Sequence, residues 1–173
     1  MSSRFTWILF GLAAALFLVT HFSWLPGLPE QVATHFNAAG KANGWMNRSE
    51  HGSGMAVMGL GVPAFLAGLC ALMRWLPPSL INVPNAAYWR SPEHYPTACQ
   101  IMNVWARTLA SMVLVWFTLL NREIVLANRS TPPALHVGAM GVLTLGFVTL
   151  IGISIGVLFW RFRKLPSSDV GRL

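Results

Sequence analysis

Four stretches of the chain are apolar with few interruptions, at about 5–22, 55–76, 98–120 and 136–160. A helix rises about 1.5 Å per residue, so ~18–20 apolar residues are enough to cross ~30 Å of hydrocarbon. At that depth there is no water to satisfy backbone N–H and C=O groups, and a helix satisfies them within one segment. The pattern predicts an all-α membrane protein with four transmembrane helices. They form a single module over 1–165, with a short tail over 166–173. Arg4 precedes the first apolar run, but no small-residue cleavage pattern follows it in "THFSWLPGL", so an uncleaved span is expected.

The polar residues between the spans are unevenly distributed. The first connection, 23–54, is long and carries "LPEQVATHFNAAGKANGW", and a structured polar loop is expected there. "VATHFN" alternates, so an extended backbone places Ala33, His35 and Asn37 on one face and Val32, Thr34 and Phe36 on the other. A short helix from Pro29 to Phe36 fits the same residues. Gly40 and the Asn43-Gly44 pair supply turn chemistry. Trp24, Phe36 and Trp45 are expected to face the membrane or a ligand.

The second connection, 77–97, reads "PPSLINVPNAAYWRSPEHYPTA" with its flanking residue. Here Ser91 is expected to cap the third span, with Pro92 in its first turn and Glu93 favoured by the helix dipole. Tyr88 and Trp89 are expected at the membrane interface.

Composition agrees with the pattern. Of the 173 residues 54% are hydrophobic and 10% charged, against ~25% charged in soluble domains. That leaves no room for a soluble catalytic domain beside the spans. The net charge of +7 does not point to nucleic acid, because the Lys and Arg residues are scattered apart from Arg161, Arg163 and Lys164. A basic cluster flanking a span faces the cytoplasmic leaflet. One side holds seven basic residues, Arg4, Arg74, Arg90, Arg161, Arg163, Lys164 and Arg172. The other holds four, Lys41, Arg48, Arg122 and Arg129. The excess predicts both termini in the cytoplasm, the 23–54 loop outside, and the 77–97 loop inside. Trp7, Trp24, Trp75, Trp105, Trp116 and Trp160 are read as an interfacial belt. Cys70 and Cys99 are read as buried thiols, with no disulfide framework implied.

Candidate chemistry is sparse. Glu30, Glu50, His35 and His51 are zinc-ligand types without a tight ligand spacing, so His35 and His51 stay weak metal candidates and no cofactor is expected. His21, His35, His51 and His136 gather on one side, which leaves open a pH-sensing or ligand-coordinating pocket. Arg107, with Asn103 one turn earlier, lies inside the third span and either pairs within the bundle or snorkels to an interface. Gly152 with Gly156, and Ala64 with Gly68, have the spacing of close helix contacts, read as internal packing with homo-oligomerisation as the alternative. There is no nucleophile with an adjacent base and no glycine-rich phosphate loop, so an enzyme is not expected.

The loop from Leu28 to Trp45 resembles the signature of the bacterial membrane domain-of-unknown-function 1648 family, related to the N-terminal module of SdpI-type immunity proteins. The matching positions are Leu28, Pro29, His35, Phe36, Asn37, Gly40, Gly44 and Trp45. "NVPNAAYWRSPEH" is similar to a second family segment at Pro84, Asn85, Tyr88, Trp89 and Pro92. Members often carry proline where this chain has Ala33, and an acid where it has Asn43. The resemblance implies a bacterial inner-membrane protein that recognises an extracytoplasmic peptide or toxin without catalysis, with immunity or signalling as output and a cytoplasmic regulator as partner. A small transporter or transporter accessory, and a metal-dependent membrane enzyme using the external histidines, are the other classes left open.

Overall fold

The computed structural model describes residues 2–165, so the 166–173 tail lies outside the described residues. Four helices are long and apolar enough to cross a membrane. In chain order the elements are α1 (Ser3–Trp24), β1 (Gln31–Phe36), β2 (Ala42–Asn47), α2 (Arg48–Leu72), α3 (Ala86–Trp89), α4 (Tyr95–Ala127) and α5 (Val137–Arg163). The all-α membrane architecture therefore holds, with one small addition, an antiparallel two-stranded hairpin between α1 and α2.

Two helix boundaries depart from hydropathy for local reasons. α2 starts at Arg48 rather than near residue 55. Asn47 accepts from the Glu50 N–H at 2.8 Å, and the Glu50 carboxylate accepts from the Asn47 N–H at 3.1 Å. This reciprocal cap starts a helix in the polar run "RSEHGSG", which hydropathy assigns to a loop. α4 starts at Tyr95, with Pro96 in its first turn, so Ser91, Pro92 and Glu93 precede the helix. The Ser91 hydroxyl donates to the Tyr88 carbonyl instead of capping α4. With 33 residues, α4 is about 50 Å long, longer than the ~30 Å hydrocarbon core.

α4 is the axis of the bundle, with α1 running parallel to it and α2 antiparallel. Phe17, Ala13 and Leu114 form the mid-membrane core between α1 and α4. Gly59 of α2 lies directly against the Phe17 ring, and a Cβ there would overlap it. A Cβ on Gly52 would fall 2.8 Å from a Leu25 methyl. These two glycines permit the close approach of helices that small residues allow in membranes. The pairs expected to do so do not: among the described residues Gly68, Gly152 and Gly156 have nothing within 4 Å of an added Cβ, and Ala64 is exposed.

At the end of the bundle that carries the termini, the second connection packs inward. Tyr88 and Trp89 are buried in a cluster with Ile81, Ala98, Ile101 and Phe162, so protein rather than lipid surrounds them. The Trp89 indole donates to the Phe162 carbonyl at 2.8 Å. The Asn85 amide donates to the Phe162 and Arg163 carbonyls at 3.2 and 3.0 Å. The last carbonyls of a helix have no partner within it, and this segment supplies partners for those of α5. Asn85 adopts a left-handed conformation, φ 56°, at the start of α3. Pro84 precedes it and lines a cavity of about 220 Å3 against Phe162.

Candidate functional site

The opposite end of the bundle carries the hairpin, and there the extended reading of the loop holds. β1 pairs with β2 from Gln31 opposite Asn47 to Phe36 opposite Ala42. The register slips twice, leaving Thr34 as the extra residue on β1 and Asn43 on β2. Each bulge shifts the side-chain alternation. Ala33 is fully buried whereas His35 is exposed, so they do not share a face as strict alternation predicts. Gly44 sits opposite His35, and a Cβ there would fall 2.9 Å from the His35 Cβ.

The turn is organised by Asn37, whose side-chain oxygen accepts from the Ala39 and Lys41 N–H groups at 3.0 Å each. Gly40 follows with φ 77°. Its Cα faces the Leu135 carbonyl so closely that any side chain would collide, and its own carbonyl accepts from the Leu135 N–H at 2.8 Å. Glycine is required at this position by both conformation and contact.

The hairpin is braced against α4 at its other edge. The Asn128 amide accepts from the Ala33 N–H at 2.8 Å and donates to the Ala33 carbonyl at 2.9 Å, in place of a neighbouring strand. Below it Leu28, Val32, Ile124 and Val125 form a buried cluster. The Arg48 guanidinium donates to the Pro26 and Leu28 carbonyls, closing the chain between α1 and the hairpin. What the hairpin presents outward is Trp45, 53% exposed, with Met46 and His35. Phe36 is half-buried, while Pro29, Glu30 and Asn37 are exposed. The His35 imidazole shares a 2.6 Å hydrogen bond with the Asn43 side-chain oxygen. An amide oxygen only accepts, so Nδ1 carries the proton.

The candidate metal ligands do not converge. Glu50 caps α2, His35 bonds Asn43, Glu30 is exposed on the chain leading into β1, and His51 is buried at the start of α2. Among the described residues no group of three or more His, Cys, Asp or Glu side chains is placed to share a metal.

The histidines divide in the same way. His136 caps α5, accepting from the Ala139 N–H at 3.0 Å. His21 and His51 enter a buried cluster beneath the hairpin with Asn121, a residue the sequence did not single out. His21 Nε2 lies 3.0 Å from the Gly52 carbonyl, which accepts and so places the proton on Nε2. His21 Nδ1 then accepts from the Asn121 amide at 3.3 Å. The Asn121 side-chain oxygen and His51 Nε2 have no hydrogen-bond partner among the described residues. One can accept and the other can donate, so a small rotation or a bound water would satisfy both.

At the terminus end, Arg107 pairs within the bundle, the first of the two readings of it. Only 5% exposed, it donates to the Thr6 hydroxyl at 3.0 Å and the Ser3 hydroxyl at 2.9 Å, with its guanidinium 4.9 Å from the Trp7 ring centroid. It both pairs within the bundle and reaches toward the start of α1. Asn103 does not join it, bonding instead to the Cys99 carbonyl of its own helix.

The family model described as Domain of unknown function (DUF1648) matches residues 8–60, which cover most of α1, the hairpin and the first half of α2. That match supports the family the loop resembles, and it ends before the second connection. No curated protein and no solved structure matches the chain.

Proposed function

We propose that the chain is a non-enzymatic recognition protein of SdpI-like type in the bacterial inner membrane, whose hairpin engages an extracytoplasmic peptide or toxin. The carrying observation is an exposed Trp45, with Met46 and His35 also exposed, on a hairpin hydrogen-bonded to the end of α4. An exposed tryptophan on a braced element is the kind of anchor that dominates peptide recognition. β2 runs straight into α2 and β1 is tied to α4, so binding at the hairpin would bias both helices. Their far ends reach the Tyr88 to Glu93 segment, where a cytoplasmic regulator would read the change. The excess of basic residues on the terminus side supports cytoplasmic termini.

Cells expressing the chain and challenged with secreted killing peptides provide the test. Trp45→Ala with His35→Ala is expected to abolish protection at unchanged membrane abundance, because both side chains are exposed. Protection that survives the double substitution would exclude the hairpin as the recognition surface. Asn37 is unsuitable for this test, since its side chain builds the turn.

One observation favours transport as a second reading. Arg107, Ser111, Thr118 and Asn121 place buried polar groups along α4 from one end of the membrane region to the other. Phe17 and Leu114, both fully buried, interrupt that seam at mid-membrane, which favours recognition over a continuous path.

A further inference from the structure

Among the long helices α5 packs chiefly on α4, and toward the terminus end a groove of about 290 Å3 opens between the two. Its walls are hydrocarbon, chiefly Ile101, Val104, Met112, Leu150, Ile153 and Val157. The polar atoms on its wall are already engaged. The Trp105 indole donates to the Ser154 carbonyl at 3.2 Å, and the Ser154 and Thr108 hydroxyls bond carbonyls of their own helices. The indole bond also fixes the spacing of α4 and α5 at this level.

The groove ends at Arg161. From Leu150 to Arg161 the helix rises about 16 Å, close to half of a ~30 Å hydrocarbon core. The groove is therefore one leaflet deep and finishes at a guanidinium. Among the described residues Arg161 has no hydrogen-bond or ion-pair partner. Arg163 and Lys164 follow immediately, Lys164 lying 3.9 Å from the Trp160 ring centroid.

We propose that this groove holds one acyl chain of an anionic phospholipid from the leaflet on the terminus side, with the lipid phosphate on Arg161. An apolar wall of one leaflet's depth that ends in a cation has the polarity of such an amphiphile, tail first and anion at the interface. A zwitterionic lipid offers the same phosphate but adds an ammonium, which the Arg161, Arg163 and Lys164 cluster repels. A second copy of the chain would fill the apolar wall yet leave the charge unmatched, since Arg161 would face an identical basic cluster or lipid.

The test is native mass spectrometry of the full chain in mild detergent, titrated separately with phosphatidylglycerol and with phosphatidylcholine of the same chain length. One phosphatidylglycerol per chain is expected to survive activation that strips phosphatidylcholine. Arg161→Gln should weaken its retention about fivefold, the effect of one basic residue near an anionic surface, and Arg161→Lys should keep most of it. Val157→Trp fills the groove while keeping all three basic residues and should also lower retention. Equal retention of the two lipids, or phosphatidylglycerol retention unchanged by both Arg161→Gln and Val157→Trp, would overturn the proposal. So would a dimer that Val157→Trp dissociates, or inorganic phosphate binding as tightly as the lipid, which would make Arg161 an anion site without a tail.

Discussion

α4 and α5 are both long apolar helices, yet they have opposite fates. Fifteen residues of α4 are buried, Arg107, Ser111, Thr118, Asn121 and Glu123 among them, whereas the buried residue of α5 is Phe162. α4 is the least hydropathic of the four spans and α5 the most. In water the most apolar helix would be innermost. In lipid the ordering reverses, because acyl chains are as good a solvent for leucine as another helix is, and polar side chains are what need protein around them. Burial in this molecule follows polarity.

The contrast can be broken hardest at glycine. Gly59→Leu drives a side chain into the Phe17 ring between α1 and α2, at a cost of about 1–3 kcal/mol if the helices can adjust and loss of the folded state if they cannot. Gly152→Leu on the open face of α5 is expected to leave thermal unfolding in detergent unchanged, within about 0.5 kcal/mol. An equal loss at both positions would mean that a partner covers α5.

A smaller effect is expected at the brace. Asn128→Ala strips both hydrogen bonds from the buried Ala33 backbone, a loss of about 1–3 kcal/mol. It should appear as faster hydrogen exchange across β1, with α1 and α2 unaffected at mid-membrane. Uniform acceleration across the helices would instead make the hairpin part of the bundle's cooperative unit.

The smallest effect separates buried from lipid-facing polar groups. Asn121→Leu removes the donor to His21 and should cost about 0.6 kcal/mol, at most about 1.7, the range for hydrogen bonds between membrane helices. Thr149→Val on α5, where the exposed hydroxyl bonds its own helix at the Leu145 carbonyl, should leave the unfolding midpoint where it is. A shift at Thr149 matching that at Asn121 would remove the distinction.

Much of the candidate site was legible one residue at a time. Gly40 read as a turn former and acts as one, beside Asn37, whereas the Asn43-Gly44 pair, expected to turn, lies within β2 with Asn43 as its bulge residue and Gly44 opposite His35. The extended alternative for Val32 to Phe36 was readable from alternation. The two bulges were not, because register depends on the partner strand, and they separate Ala33 from His35. Asn128 and Asn121 carried no signal, since an asparagine in a helix is marked only by what another segment, about a hundred residues away, brings against it.

The sequence by itself determined four membrane-crossing helices and the place and chemistry of the polar loop, because hydrophobic length and turn propensity are local properties. Tertiary structure decided which helix is central, which glycines are contacts, and that Tyr88, Trp89 and Asn85 close the end of α5. It also decided that the four histidines at the hairpin end serve three separate purposes. Those outcomes rest on which surfaces meet, and in a membrane the apolar pattern that places the helices is nearly silent on how they pair.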